Sequence, residues 1–148
     1  MEPLEIVFDV ACSPQHAFDT WATDTSRWWP ASHSVSTDPG LTVTLEPRVG
    51  GRIYERTQSG DEHDWGQVLM WEPPVRLAYL WHLRQDRDDA TRVEITFSGG
   101  EQGTTTVHIV HSGWERLGSK GNDLRDRNRS GWDGLLPRFV EACKGAPA

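Results

Sequence analysis

Few side chains in this chain could do chemistry, and most of their spacings exclude it. His108 and His111 are three residues apart. On a helix they would be neighbours. The segment from Thr104 to His111 alternates as a strand does, and there the two rings face opposite sides, so they cannot share a metal ion. Cys12 and Cys143 are the only cysteines and lack ligand spacing. No metal and no cofactor is expected. His111 and Ser112 are adjacent, so their side chains diverge, and there is no Gly-x-Ser-x-Gly elbow. Gly50-Gly51 and Gly99-Gly100 read as turns, and neither fits a phosphate-binding loop. Cys12 falls between a strand end and a helix start, which could lower its pKa, but a packing thiol is the simpler reading.

Two polar residues remain, each on an otherwise apolar strand face. Glu55 shares a face with Ile53, and His111 with Val107 and Ile109. Facing a core, each needs a partner or a wet cavity. Glu55 could pair with an Arg, orient a ligand, or act as an acid or base. His111 reads more simply as a satisfied structural histidine. The register of the 52–57 strand is open, because Tyr54 could be the inward residue instead. In a closed apolar chamber the pKa of Glu55 should rise unless an Arg compensates. No residue is assigned a catalytic role.

Eight tryptophans are the unusual feature of the composition. Trp21 and Trp132 fall on helix faces. Trp28, Trp29, Trp65, Trp71, Trp81 and Trp114 fall in strands or near strand ends. They could all pack a core, or several could line a cavity whose walls are aromatic with a few donors.

The elements that must position these residues follow from periodicity. Leu4 to Ala11 alternates as a half-buried strand. Ser13-Pro14 caps a short helix carrying Ala17, Phe18 and Trp21, and Asp24 could cap a second that stops by Pro30. Leu41 to Glu46 alternates. Three strands follow between Gly51 and Trp81, separated by the Gln58–Asp61 turn and by Pro73-Pro74. Val93, Ile95 and Phe97 set one strand face, and Thr105, Val107, Ile109 and His111 another. The last helix carries Trp132, Leu135, Leu136, Phe139, Val140 and Cys143 on one face, with Gly131 and Gly134 off it. Pro137 inside that pattern predicts a kink or a break. The tail from Gly145 should fray.

Certain stretches carry a resemblance. Gly50-Gly51-Arg52-Ile53-Tyr54-Glu55, then Trp65-Gly66-Gln67-Val68, then Trp71-Glu72-Pro73-Pro74-Val75-Arg76-Leu77 and the strand ending at Trp81 resemble the START-like (SRPBCC) or helix-grip superfamily. Within it they are most similar to the family named after the activator of heat-shock protein 90 ATPase. The resemblance spans Phe8 to Phe139. It implies an α+β helix-grip fold: a curved antiparallel sheet of six or seven strands, two short helices after the first strand, and a long C-terminal helix across the sheet. It implies one START-like domain over residues 1–148, often with a cavity between sheet and helix. That superfamily includes carriers, co-chaperones and enzymes, so fold does not choose among them.

These readings lead to a small hydrophobic, ring-containing molecule bound between sheet and last helix. Trp28, Trp29, Glu55, Tyr79, Trp81, Phe97, His111 and Trp132 are the candidate ligand-binding residues. The alternatives are an enzyme of cyclase, dehydratase or hydrolase type in the same cavity, and a chaperone-associated interaction domain. A net charge of −7 argues against non-specific nucleic-acid binding. No apolar run reaches the length of a membrane span. Met1-Glu2-Pro3-Leu4 does not open a signal peptide, so a cytoplasmic chain with reduced cysteines is expected. A homodimer is compatible with a chain of this size.

Overall fold

The computed structural model describes residues 2–144, so the tail expected from Gly145 lies outside the described residues. In chain order the elements are β1 (Leu4–Val10), α1 (Pro14–Ala22), α2 (Thr25–Trp28), a 3-10 turn (Ala31–His33), β2 (Thr42–Leu45), β3 (Arg52–Arg56), β4 (Glu62–Glu72), β5 (Arg76–Trp81), β6 (Thr91–Gly99), β7 (Thr105–Ser112), a 3-10 segment (Trp114–Lys120) and α3 (Gly121–Cys143). The seven strands form one sheet in the order β1-β7-β6-β5-β4-β3-β2. Strands β2 to β7 are a meander in which each strand pairs antiparallel with the next. β1 closes the far side against β7, with Ile6 opposite Ile109. This is the curved sheet and long helix of the helix-grip fold.

Local chemistry sets the short elements. The Ser13 hydroxyl accepts from the His16 amide at 3.2 Å, and Pro14 opens α1, where its missing N–H costs nothing. Asp24 stands at the N-cap of α2 without a side-chain cap bond. β4 must bend, and it does so at register shifts opposite β3 and β5. Gly66 lies between them because a Cβ there would fall 1.9 Å from the Leu80 carbonyl oxygen.

One face of the sheet is buried under the helices. Trp132, Leu135, Leu136, Phe139 and Cys143 of α3 are all buried, and Phe139 is fully so. Its ring meets Phe8 of β1, Trp21 of α1 and Trp28 of α2 at centroid distances of 6.2, 4.8 and 5.3 Å. Three other elements therefore converge on this one ring of α3.

Pro137 does not divide the helix, which runs unbroken from Gly121 to Cys143. The reason is its side. Pro137 and Asp133 are both exposed, so the carbonyl that loses its helical partner faces water rather than the core. The two cysteines, at opposite ends of the sequence, come together where β1 ends and α3 finishes. Both are free thiols. Burial first, and then the neighbouring Cys12, raise the pKa of Cys143, and burial likewise raises that of Cys12.

Phe139→Ala should lower stability by about 3–5 kcal/mol, as large-to-small changes at a fully enclosed ring do. Chemical denaturation would read this directly, and an unchanged midpoint would remove Phe139 as the centre of the helix-on-sheet core.

Candidate functional site

The apolar space between helices and sheet is not uniform. At one end it is filled by side chains. Phe18 packs on Phe97 and Trp71 at 5.3 and 5.1 Å, and Trp21, Trp28 and Phe139 pack on one another. At the other end a pocket of about 320 Å³ opens. Its apolar walls are Trp29, Trp81, Trp132, Leu124 and Leu135. His33, His82, Arg84, Asp89, Arg127 and Asn128 supply polar groups.

Of the eight residues singled out by sequence, the structure brings Trp29, Trp81 and Trp132 together in the lining of this pocket. The other five are buried outside it. Trp28 is held in the packed end, its indole N–H donating to the Thr20 carbonyl at 2.8 Å. Phe97 is covered by Phe18. Tyr79 lies 5.6 Å from Trp81, ring to ring, and is buried behind it, with its hydroxyl pKa raised by burial. Glu55 and His111 are fully buried and committed to other partners.

Glu55 points inward with Ile53, while Tyr54 faces out beneath the Arg52 guanidinium, 4.2 Å from its ring centre. Among the described residues no Arg pairs with the carboxylate. It accepts instead from the backbone N–H of Val35 (2.5 Å) and Ser36 (3.0 Å), the Ser36 hydroxyl (2.5 Å) and the Trp65 indole N–H (2.8 Å). The expected rise in its pKa is overturned for this reason. Burial pushes upward as the largest single influence. The donors from Ser36, Val35 and Trp65 together hold the carboxyl below its ordinary value.

The anchored loop shapes the pocket. Residues 31–37 turn back over the sheet end, with the Ser34 hydroxyl accepting from the Thr37 amide at 2.9 Å. Arg84 clamps the loop from the other side, Nε to the Ser34 carbonyl (2.7 Å) and Nη2 to the Ser32 carbonyl (3.0 Å). The Trp29 indole N–H donates to the His33 carbonyl at 2.8 Å. Thus Glu55 fixes the loop, and the loop fixes His33 and Trp29 in the lining.

His111 forms the support behind the opposite wall. The Trp132 indole N–H, which can only donate, reaches His111 Nδ1 at 3.1 Å. The proton of the neutral ring is therefore on Nε2, which donates to Thr91 Oγ1 at 2.6 Å. The Thr91 hydroxyl continues to the Trp81 carbonyl at 3.3 Å. Burial pushes the His111 pKa down to about 3, so the ring is neutral at physiological pH. His108, by contrast, is half-exposed on the other sheet face, 3.3 Å from Glu5.

Sequence reasoning missed Gly131 and Gly134. Helical spacing sets both off the apolar face, yet Gly131 lines the pocket and Gly134 lies against His33. A Cβ at Gly131 would meet nothing within 4 Å. Two glycines in a helix interior each cost about 1 kcal/mol, and that local cost was the available signal. Among the described residues no group of three His, Cys, Asp or Glu could hold a metal ion. No described helix is long and apolar enough to cross a membrane.

The model of the Activator of Hsp90 ATPase homolog 1-like protein family matches residues 3–144. An anthrahydroquino-gamma-pyrone synthase, Txn09, is 32% identical in a solved complex, with 96% of this chain and 97% of that one covered and a TM-score of 0.66. The self-sacrificing resistance protein CalC from Micromonospora echinospora is 26% identical over 97% of this chain and 92% of that one, at a TM-score of 0.66. An HSP90 activator from Plasmodium falciparum is 18% identical over 99% of both, at 0.67, which shows the fold alone. None of the curated proteins compared matches the chain.

Two predictions follow from the buried pair. Glu55→Gln should cost about 2–3 kcal/mol, because the amide nitrogen cannot accept from donors the carboxylate now satisfies. Denaturation would measure it, and a neutral effect would remove Glu55 as the loop's anchor. For His111 the folded pKa lies below the ordinary 6.5, so its contribution to stability is complete above pH 6.5. It should be lost progressively as the pH falls from 6.5 towards about 3. His111→Gln should flatten that part of the stability profile, and an unchanged slope would contradict the assignment.

Proposed function

Because the chain belongs to the Activator of Hsp90 ATPase homolog 1-like family, whose fold fits a ligand-binding domain, we propose that it binds a hydrophobic, ring-containing small molecule. The site is the pocket between β5, the following loop and α3. The observation that carries this reading is the convergence of Trp29, Trp81 and Trp132 on a space of about 320 Å³. That size suits a few fused rings, and three aromatic walls favour stacking over side-chain flexibility. The likeness to Txn09, a synthase by name, and to CalC supports a small molecule as the partner.

The synthase likeness also favours a second reading, in which the bound molecule is converted. Glu55 and His111 are unsuited to that work, since their lone pairs and protons are already taken within the core. The titratable groups that line the pocket are His33, His82 and Asp89. Product formation from a bound ring compound, lost on replacing His33 or His82 while binding persists, would separate conversion from carriage.

Binding itself has a direct test. A neutral fused-ring probe such as 2-naphthalenemethanol should quench tryptophan fluorescence saturably. Trp81→Ala should weaken the affinity by about tenfold. Gly131→Leu should fill the pocket from the helix side and abolish binding. The same change should raise stability by about 0.5–1 kcal/mol, since Gly is a poor helix former and space is open there. Saturable quenching that survives Gly131→Leu would place the probe elsewhere and sink this reading.

A further inference from the structure

The polar edge of the pocket is unlike the chain as a whole. The chain has a net charge of −7, yet Arg84 and Arg127 both line the pocket against a single carboxylate, Asp89. Asp89 has Lys120 Nζ 3.9 Å away, so even that charge is partly countered. Among the described residues, neither Arg84 nor Arg127 is in an ion pair, although Arg27, Arg48, Arg52, Arg76 and Arg92 all are.

Arg84 adds a structural oddity. Its backbone is in the left-handed region at φ +63°, which a non-glycine side chain adopts only where its surroundings hold it. Here the two carbonyl bonds to Ser32 and Ser34 do so. Those bonds use Nε and one terminal nitrogen, and a guanidinium has five N–H donors. Charge and donors are left over at the edge. His33 reports the resulting field, because its pKa is lowered by burial first and then by the charges of Arg84 and Arg138.

We propose that the ligand carries an anionic oxygen group, a carboxylate or an ionised phenol, which Arg127 holds at the pocket edge within the positive field of Arg84. This deepens the ring-binding reading above and rests on it. The rings would occupy the space between Trp29, Trp81 and Trp132, and the anionic group would remain at the half-wet edge, where a charge need not be fully desolvated. Arg127 is the better anchor, since none of its donors makes a hydrogen bond among the described residues, while Arg84 is already tied to the loop.

Calorimetric titration of 2-naphthoate and 2-naphthalenemethanol near neutral pH tests this. The two share their rings and differ in the charge. The carboxylate should bind about tenfold more tightly, and Arg127→Gln should bring the two affinities together. Added salt should erode the preference of the unaltered protein, a measurement that stands even if Arg127→Gln folds poorly. Equal affinities in the unaltered protein would overturn the anionic ligand and leave the ring-binding reading standing. A preference that survives both Arg127→Gln and high salt would overturn the role of Arg127. Binding of neither compound would overturn this inference together with the reading beneath it.

Discussion

The buried carboxylate of Glu55 is the interaction on which the pocket depends. A carboxylate in a core is costly unless its oxygens are fully engaged. Here that engagement comes from three successive sources on one loop, the Val35 amide, the Ser36 amide and the Ser36 hydroxyl, with the Trp65 indole completing the set. Charge-assisted bonds of this kind are about twice as strong as neutral ones. Their consequence is spatial. A loop with three serines among its seven residues, and only Ala31 and Val35 as apolar side chains, is fixed against the sheet end. From there it holds Trp29 and His33 in the pocket lining.

A second constraint separates the closed part of the core from the open part. Aromatic rings are rigid, and where enough of them meet they fill space completely. Trp21, Trp28 and Phe139, with Phe18 against Phe97, do so at one end. At the other, α3 presents Gly131 to the gap, where no side chain occupies the space, and packs Gly134 against His33. Trp132 between them cannot swing to fill it, because its N–H is held by His111. The cavity is therefore the product of one missing side chain, at Gly131, and one tethered ring, and the tether is a neutral histidine whose other nitrogen is also engaged.

What was legible in the sequence was whatever repeats. Alternation in Val93, Ile95 and Phe97, and the heptad-like stripe ending at Cys143, announce the sheet and its covering helix because burial imposes those periods on every element that forms them. The familiar motif around Gly50-Gly51 and Trp81 carried the order of the strands. The partners of Glu55 were not legible. Two of the four are backbone amides about twenty residues away, and any sequence has amides. Pro137 does not break the helix, because a proline's effect depends on which side of the helix it takes, and the exposed side tolerates it. The tryptophans were ambiguous for a related reason: a ring that packs a core and a ring that lines a cavity have the same sequence signature, and only neighbours such as Gly131 decide between them.

Glu55 and His111 look like an acid and a base when read along the chain, and their surroundings argue otherwise. A catalytic base must turn a free lone pair towards its substrate, and an acid a proton. Glu55 directs both oxygens at donors that belong to the fold. His111 accepts at one nitrogen and donates at the other, and burial drives its pKa far below the range where a base would act at neutral pH. Perturbed titration marks functional sites only when the perturbed group faces a cleft. Here Glu55 and His111 stand behind the walls, and His33, which faces the space, has its pKa lowered by burial first and then by the charges of Arg84 and Arg138. The fold has placed its expensive polar burial in the service of shape, and on the proposed reading recognition falls to the aromatic walls and the charged edge.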